Sequence, residues 1–316
     1  MKDPIVIIGM HRSGTTMITR MLQQLGLHVG WVVQENLEAV FFVERNEKLM
    51  NMCGGSWERP QPIELLLQDK FTRAKVGEQL LKDMNSIRFL SYMGPGRYLS
   101  HRRVQTIDFP WGWKDPRNTF LLPVWLDLFP NARVVHVYRN GIDVARSLAK
   151  REMQAGGYRL ARISRAGRFA EMTKDWWDQF RNESILLSLR RGWNAVNRRM
   201  TPLGQYDRFA RQETANLAKA FELWCAYVQR STDMVESIPN KCLTLKYEDF
   251  LVEPEKYLET LCGFCGLTPA KAEVQAQCKN VRADRRHTFK GDMEAVQLYE
   301  RVRANQWMVK FGYGDL

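Results

Sequence analysis

The most informative stretch of the sequence is GMHRSGTT, residues 9–16, which follows a short β-branched run. A glycine-rich turn between a strand and a helix directs backbone N–H groups and the positive end of the helix dipole at one point, which creates an anion site. Gly9 and Gly14 have the spacing of the Walker pattern, but Thr15 occupies the position of its lysine. Arg12 instead places a guanidinium inside the loop. The stretch predicts a site for a diphosphate-like ligand, although a plain glycine turn is the alternative.

A second strand–turn–helix pattern begins with the run RVVHVY at residues 133–138. Arg139 follows this run, and Asn140-Gly141 leads into a predicted helix. The free amides at the start of that helix, together with the arginine, form the same kind of anion-holding arrangement as the first loop. A solvent-exposed turn arginine is the alternative.

Lys114 lies at the carboxyl end of a short predicted strand, which is the edge where open α/β sheets place their ligands. A cation at that edge suits a reaction in which negative charge develops on a leaving group. The alternative is a lysine with a buried stem whose charge pairs with Asp115. Arg117 fits either a ligand contact or pairing with acidic neighbours, and the sequence leaves that choice open.

The overall charge is strongly positive. Lys and Arg outnumber Asp and Glu by 47 to 35, which gives a formal charge of +12 and attracts polyanions. No zinc-finger or RNA-binding signature accompanies these residues, so we expect no nucleic-acid partner. No apolar run approaches the roughly 18–20 residues that span a membrane, and the first residues enter a strand without the pattern of a signal peptide. We therefore expect a cytoplasmic protein without stable membrane insertion; the oligomeric state stays open.

The cysteines predict no metal site. Six are scattered along the chain, and Cys262 and Cys265 form a CxxC that has no second pair. Two thiols on one apolar face of a helix are the simpler interpretation.

Strand, turn and helix alternate along the chain. The continuous β-branched run at 5–8 predicts a buried parallel strand. Further strands are predicted at 112–114, 133–138 and 241–247. Helices are predicted at 15–25, at 119–128, from 142 to about 150, and from 255. This alternation predicts an α/β fold with a P-loop-like, open, mostly parallel sheet flanked by helices, and with a helical insertion.

We expect a single domain over residues 1–316, because no linker divides the chain. Residues 4–150 form the expected cofactor-binding core, 156–235 a helical insertion or lid on the acceptor side, and 241–316 the last sheet element with C-terminal helices. The insertion is rich in residues that can contact an acceptor or form its own core: Trp176, Trp177, Arg190, Arg191 and Trp193.

Two of these segments together resemble a known family. GMHRSGTT is similar to the 5′-phosphosulfate loop of sulfotransferases that use 3′-phosphoadenosine 5′-phosphosulfate (PAPS), and its arginine is similar to that of bacterial enzymes and of the tyrosylprotein branch. RVVHVYRNGIDVARSL, residues 133–148, resembles the family's 3′-phosphate-binding segment. The resemblance covers residues 4–150 and extends to LTLKYEDF at 243–250. It provides little information about residues 156–235. Two motifs in the right order are more specific than either alone.

The resemblance implies roles for individual residues. WGWKDPR is similar to a lysine-containing segment of the same branches, so Arg12 and Lys114 are the expected catalytic cations. In the family's second segment an arginine and a serine eight positions later hold the 3′-phosphate. The implied cofactor-binding residues are His11, Arg12, Ser13, Gly14, Thr15, Thr16, Arg139, Ser147 and Tyr247. A basic segment at 282–291 occupies roughly the place of the family's late basic–glycine segment, but its spacing departs from the pattern.

Glu44 is the expected general base. It lies in NLEAVFFVERNEKLMN, which is similar to a bacterial segment with an aromatic pair before a glutamate that opens a helix. Desolvation beside the aromatic pair raises the pKa of such a carboxylate, which favours proton abstraction from an alcohol. Glu38, Glu35 and His101 are the alternative bases, and the alternative role for Glu44 is that of an exposed glutamate at the start of a helix.

The leading hypothesis is therefore a metal-free transferase that moves a sulfuryl group from PAPS to an acceptor hydroxyl and releases 3′-phosphoadenosine 5′-phosphate (PAP). The acceptor is a carbohydrate, a lipid, a small molecule or a tyrosine. An ATP-dependent phosphotransferase is the first alternative, but Thr15 in the position of the Walker lysine argues against it. A non-catalytic nucleotide-binding or polyanion-binding protein is the second.

Overall fold

The computed structural model describes residues 2–163, 214–238 and 241–316. Four parallel strands form an open sheet in the order β2-β1-β3-β4. They are β1 (Ile5–Ile8), β2 (Gly112–Lys114), β3 (Arg133–Tyr138) and β4 (Cys242–Lys246). The first three have the predicted bounds, and the fourth is one residue shorter at each end. The predicted α/β class with a parallel open sheet is confirmed.

Helices flank this sheet. In chain order, those of the described residues are α1 (Thr15–Gln24), α2 (Val40–Met52), α3 (Glu64–Gln68), α4 (Lys70–Met84), α5 (Leu90–Met93), α6 (Pro95–Ser100), α7 (Asn118–Leu128), α8 (Gly141–Ile163), α9 (Leu217–Ser237), α10 (Tyr247–Val252), α11 (Pro254–Cys265), α12 (Lys271–Cys278), α13 (Met293–Val302) and α14 (Gln306–Lys310). None of these helices is both long enough and apolar enough to cross a membrane.

β1, β2 and the middle of β3 are buried on both faces, whereas β4 at the edge of the sheet is only partly buried, with Thr244 exposed. Because side chains alternate along a strand, Ile5 and Ile7 pack into one core with α1, α10, α11 and α12. Val6 and Ile8 pack into the other core with α2, α7, α8 and α9. Each face of the sheet is therefore covered, and the ends of the strands are left for function.

An aromatic cluster supports the end of β2. Phe42 of α2 stacks flat on Trp113 of β2 with ring centroids 3.9 Å apart, and Trp125 meets Trp113 edge-on. The Trp113 indole N–H also donates to Asn118 Oδ1 at 3.2 Å. This packing fixes the backbone at Trp113, and so it fixes the position of the next residue, Lys114.

The strand order explains which loops meet. β1 pairs with β3 through Ile8 and His136, and with β2 through Ile7 and Lys114. The chain leaves β1 toward β2 and later returns to the other side of β1 to form β3. A parallel sheet has its ligand crevice at such a reversal, outside the carboxyl ends of the strands. The loops that follow β1, β2 and β3 all end at that edge.

The expected insertion is described only in part. Trp176, Trp177, Arg190, Arg191 and Trp193 lie outside the described residues. Residues 217–237 form α9, whose Trp224 and Tyr227 are buried in the core between α7 and α8. The division of the chain at 156–235 stays a prediction.

Candidate active site

The loop after β1 has the backbone of an anion cradle. Gly9 has a φ of 134° and Gly14 a φ of 95°, conformations that favour glycine. A Cβ atom would lie 2.2 Å from the Val137 carbonyl oxygen at Gly9 and 2.2 Å from the Tyr247 ring at Gly14. The amide of Gly9 donates to Thr119 Oγ1 at 3.2 Å. The loop is thus pressed against its surroundings while the first amides of α1 stay available for an anion.

Arg12 connects the two predicted phosphate sites. It has a φ of 70°, unusual for a residue other than glycine, and its Nε donates to Ser147 Oγ of α8 at 2.8 Å. Arg139 Nη1 donates to the Arg12 carbonyl oxygen at 3.4 Å. Residues 135 positions apart in the sequence therefore lie in one cleft. The sequence predicted each site separately, and the adjacency of β1 and β3 brings them together.

Arg139 is the centre of the second anion site. Its side chain is only 13% exposed, and its Nη2 lies 3.3 Å from Asp143 Oδ2 in the first turn of α8. The same nitrogen donates to the Arg285 carbonyl oxygen at 3.3 Å, and the guanidinium lies 4.9 Å from the centre of the Tyr247 ring. Arg139 Nε is buried without a hydrogen-bond partner among the described residues. These contacts hold the guanidinium in place and leave it with an unused donor.

The basic segment at 282–291 reaches this second site. Asp143 Oδ1 accepts hydrogen bonds from Thr288 Oγ1 and from the Phe289 amide, both at 2.8 Å. Arg285 lies close enough for its charge to lower the pKa of Tyr247, against a larger increase caused by burial. The sequence assigned no role to an individual residue of this segment, because its contact with α8 depends on the fold and not on the spacing of residues in the sequence.

Lys114 is buried at the end of β2 and carries an ion pair. Its Nζ donates to Glu38 Oε1 at 2.9 Å, and the two side chains are 2% and 3% exposed. Asp115 instead pairs with Arg117 at 3.1 Å. The alternative pairing of Lys114 with Asp115 is therefore wrong. Arg117 contacts acidic neighbours, including Glu47 Oε1 at 2.6 Å.

The loop at residues 33–39 delivers Glu38. It closes through the hydrogen bond from the Gln34 amide to the Glu38 carbonyl at 2.9 Å, with Leu37 at a φ of 59°. Thr16 Oγ1 of α1 donates to the Asn36 carbonyl at 3.3 Å. The loop is thereby attached to the helix of the phosphate cradle, which places the carboxylate of Glu38 next to Lys114.

The other candidate bases lie differently. Glu44 has a side chain that is 55% exposed and 3.6 Å from Arg45. Burial raises its pKa and the charge of Arg45 partly opposes this, so the expected direction of the shift is found. Glu35 is exposed. His101 Nδ1 lies 2.9 Å from the Thr106 carbonyl, and its ring meets Phe109. Of these candidates, Glu38 is the one whose carboxylate contacts Lys114.

His11 lies inside the loop between Met10 and Arg12. Its ring meets Trp57 edge-on with centroids 4.5 Å apart. Burial lowers its pKa well below 6.5, and the charges of Arg117, Arg151, Lys114 and Arg12 lower it further. The imidazole is therefore neutral at physiological pH.

One group of three possible metal ligands occurs among the described residues: Asp143, Glu248 and His287. The carboxylate oxygens of Glu248 accept from the Asn140 amide at 2.9 Å and from the Tyr313 hydroxyl at 2.7 Å. Asp143 is occupied by Arg139, Thr288 and Phe289, as described above. Asp143 Oδ2 lies 3.3 Å from Arg139 Nη2, but it and His287 Nδ1 are buried without a hydrogen-bond partner among the described residues. The absence of a metal site therefore stays a prediction.

Comparison with known sequences identifies a family. The sequence model described as "Sulfotransferase family" matches residues 4–187, which is more than half of the 316 residues. No curated protein matches the chain by sequence.

Solved structures of sulfotransferases are similar to this chain. The sulfotransferase domain from the Synechococcus PCC 7002 olefin synthase has 16% identity and a TM-score of 0.45, with 95% of each chain covered. A sulfotransferase from Alicyclobacillus acidocaldarius has 16% identity and a TM-score of 0.39, covering 98% of this chain and 92% of that one. A sulfotransferase from Mycobacterium avium has 15% identity and a TM-score of 0.40, covering 95% and 76%.

Proposed function

The chain belongs to the sulfotransferase family, and we propose that it transfers a sulfuryl group from PAPS to the hydroxyl of an acceptor. The observation that supports this proposal best is the hydrogen bond from Arg12 to Ser147, since it joins one residue of each predicted anion site. The buried pair of Lys114 and Glu38 supplies a cation and a carboxylate at the same edge of the sheet.

The residues of the cleft fit a nucleotide with two phosphate-bearing ends. Gly9 and Gly14 let the loop pack against the Val137 carbonyl and the Tyr247 ring, where a Cβ atom would clash, and the amides of α1 can bind the 5′-phosphate together with Ser13, Thr15 and Thr16. Arg139 offers its unused Nε, and Ser147 its hydroxyl, to the 3′-phosphate. The ring of Tyr247, between Gly14 and Arg139, lines the space between the two ends.

Arg12 and Lys114 are the proposed catalytic cations. When bound, PAPS supplies an activated sulfuryl group on a phosphate leaving group. Cations held near the leaving oxygen stabilise the charge that develops there, which is the main contribution a protein makes to such transfers. Arg12 must exchange its bond with Ser147 for a contact with the nucleotide, and its exposed position permits this.

We propose Glu38 as the general base in place of Glu44. Its carboxylate lies against Lys114, whereas that of Glu44 is more than half exposed beside Arg45. In the reaction, a bond forms between the acceptor oxygen and sulfur while the bond from sulfur to the bridging phosphate oxygen breaks. That oxygen keeps the electron pair, and Glu38 takes the proton of the hydroxyl.

The acceptor side is proposed to include the segment at 156–235, as a lid over the core at 4–150. Carbohydrate, lipid, small-molecule and tyrosine hydroxyls all satisfy the chemistry of Glu38. No residue of the described cleft distinguishes among these acceptors.

Calorimetric titration tests the proposal. PAP is expected to bind with micromolar or tighter affinity in the presence of a metal chelator, and ATP with magnesium is expected to bind at least about tenfold more weakly, because Thr15 offers no lysine to a terminal phosphate. Incubation with PAPS and a panel of hydroxyl compounds should then release PAP. A preference for ATP with magnesium would contradict the proposal.

A further inference from the structure

The loop after β1 contains a buried nitrogen atom that has no hydrogen-bond partner in the described part of the chain and no role in the proposed function. His11 is partly exposed as a residue, but its Nε2 is buried and has no hydrogen-bond partner among residues 2–163, 214–238 and 241–316. A buried polar atom without a partner is unfavourable, because it has lost its hydrogen bonds to water and gained none in return. Such atoms are rare in folded proteins and call for an explanation.

The ring that carries this nitrogen is held in place. Trp57 packs edge-on against His11 at 4.5 Å. The Trp57 carbonyl accepts a hydrogen bond from the Tyr227 hydroxyl at 3.0 Å, and Arg151 lies 5.3 Å from the centre of the Trp57 ring. Residues from the 53–60 loop, α8 and α9 thus hold the imidazole in one position, and a ligand-binding group needs such support.

The charges around His11 restrict what it can do. Arg12 faces it from the loop, Lys114 from the end of β2, Arg117 from the start of α7, and Arg151 from α8. The acids of these elements are engaged with these cations: Glu38 with Lys114, Asp115 and Glu47 with Arg117, and Glu152 with Arg151. A proton added to His11 would create a fifth positive charge in this group. His11 is therefore a poor general base, but it is well suited to hydrogen bonding as a neutral ring.

We propose that His11 is a catalytic residue that donates a hydrogen bond from Nε2–H to an oxygen of the sulfuryl group during transfer. This inference rests on the proposed function. The sulfuryl oxygens are hydrogen-bond acceptors, and they lie at the end of the nucleotide that the loop containing His11 binds. His11 neither gains nor loses a proton in the step, because the hydroxyl proton goes to Glu38.

Two variants separate this role from packing. His11→Phe keeps an aromatic ring against Trp57 and removes the donor, whereas His11→Gln retains an N–H near the position of Nε2. We expect His11→Phe to lower the rate of PAPS cleavage by about 100-fold, and His11→Gln to retain activity within about tenfold, as for loss and replacement of one oxyanion donor. The Kd for PAP, which has no sulfuryl group, should stay within about twofold of the wild-type value in both variants.

An NMR measurement provides a readout independent of turnover. In protein labelled with ¹⁵N-histidine, the chain contributes five histidines, and the His11 signals are those lost in His11→Gln. The Nε2–H signal should report a neutral ring at pH 6 and should shift on addition of PAPS but not of PAP.

The outcomes distinguish an error in the role of His11 from an error in the proposed function. An unchanged cleavage rate in His11→Phe, or a loss of PAP affinity as large as the loss of rate, would overturn the role of His11 while leaving PAPS-dependent transfer intact. A low-pH limb of the rate that disappears in His11→Phe would make His11 a base and also overturn the proposal. Failure of the wild-type protein to bind PAP would instead contradict the proposed function itself.

Discussion

At the scale of single residues, the buried ion pair between Lys114 and Glu38 is the feature with the clearest chemical consequence. Both side chains are almost fully excluded from water, and removing two charges from water costs several kcal/mol per ion unless each is paired. The pair therefore holds a cation and a carboxylate together at the ligand edge of the sheet. In the proposed reaction, a ligand that carries negative charge to Lys114 would weaken its hold on Glu38 and free the carboxylate to accept a proton.

This arrangement gives a prediction that separates the two candidate bases. Glu38→Gln should lower the transfer rate by about 100-fold to 10,000-fold, because general base catalysis is lost. Its side chain keeps nearly the same shape, so the Kd for PAP should change by less than about threefold. The rate is measured as PAP released from PAPS in the presence of an acceptor.

Glu44→Gln is the matched control, since it makes the same chemical change on the neighbouring helix α2. Its rate should stay within about threefold of the wild-type rate, because its side chain is more than half exposed and contacts Arg45. A large loss of rate in Glu44→Gln, with little loss in Glu38→Gln, would return the role of base to Glu44.

The sequence predicted the cations of the site better than it predicted the carboxylate. Arg12 lies in the loop after β1, Lys114 is the last residue of β2, and Arg139 directly follows β3, so the fold class alone brings them to one edge. Glu38 lies in a loop whose shape depends on a left-handed Leu37 and on a bond from Thr16 to the Asn36 carbonyl. Neither feature has a signature in the sequence, since a leucine gives no indication of a positive φ.

At the scale of elements, β3 and α8 together position the residues of the second proposed anion site. β3 ends at Tyr138, and α8 begins at Gly141, where a Cβ atom would lie 2.7 Å from the Trp224 ring. Asn140 Oδ1 accepts from the amides of Ile142 and Asp143, at 2.9 Å and 3.1 Å, and so satisfies the first turn of α8. The tight turn holds Arg139 at the start of the helix.

Arg139→Ala is expected to weaken PAP binding by about 10-fold to 100-fold, the usual loss when a hydrogen bond to a charged group is removed. The effect should fall on the dissociation constant, measured by calorimetry, and not on the rate at saturating PAPS. Arg146→Ala is the control on the same helix, because Arg146 pairs with Asp292 away from the phosphate loop. Equal effects of the two substitutions, or none at Arg139, would show that the second phosphate site is misassigned.

Element boundaries show where local patterns suffice. The three strands with continuous β-branched or aromatic runs have the predicted ends. α8 was predicted to end near residue 150, but it continues to Ile163. Residues 151–163 contain two adjacent glycines, which favour a helix end by propensity alone. α8 packs against α9. Such tertiary contacts cannot be read from the sequence, and they stabilise a helix beyond its intrinsic propensity, which explains the longer helix.

At the scale of the whole molecule, the sheet order decides which parts of the sequence form the cleft. β1 lies between β2 and β3, so the phosphate loop is flanked by Lys114 on one side and by Arg139 on the other. The alternation of strands and helices predicted a parallel sheet, but alternation does not specify the order of the strands. The order of the strands depends on which apolar faces pack together. It brings three motifs that are separate in the sequence to one edge of the sheet.

The two cores also make the molecule sensitive to acid. Burial lowers the pKa of His136 from 6.5 to about 4. Burial and the charge of Arg97 lower that of His28 to about 4, against a hydrogen bond to the Tyr92 carbonyl that raises it. Because both values are below that of the unfolded chain, the unfolded state binds protons more tightly. The stabilisation is complete above about pH 6.5 and is lost as the pH falls toward 4.

We therefore expect the free energy of unfolding, measured with urea, to fall by several kcal/mol between pH 6.5 and about 4, with each histidine contributing about 3 kcal/mol at most. His136→Leu keeps a similar volume in β3 and removes one titrating group. The two histidines together cause part of the change of the unfolding free energy with pH, and this substitution should remove about half of that part. Its stability relative to the wild type should thus increase as the pH decreases. A variant whose unfolding free energy keeps the full wild-type slope would show that His136 is not held neutral by burial, and the acid sensitivity would then have to come from His28 and the buried carboxylates.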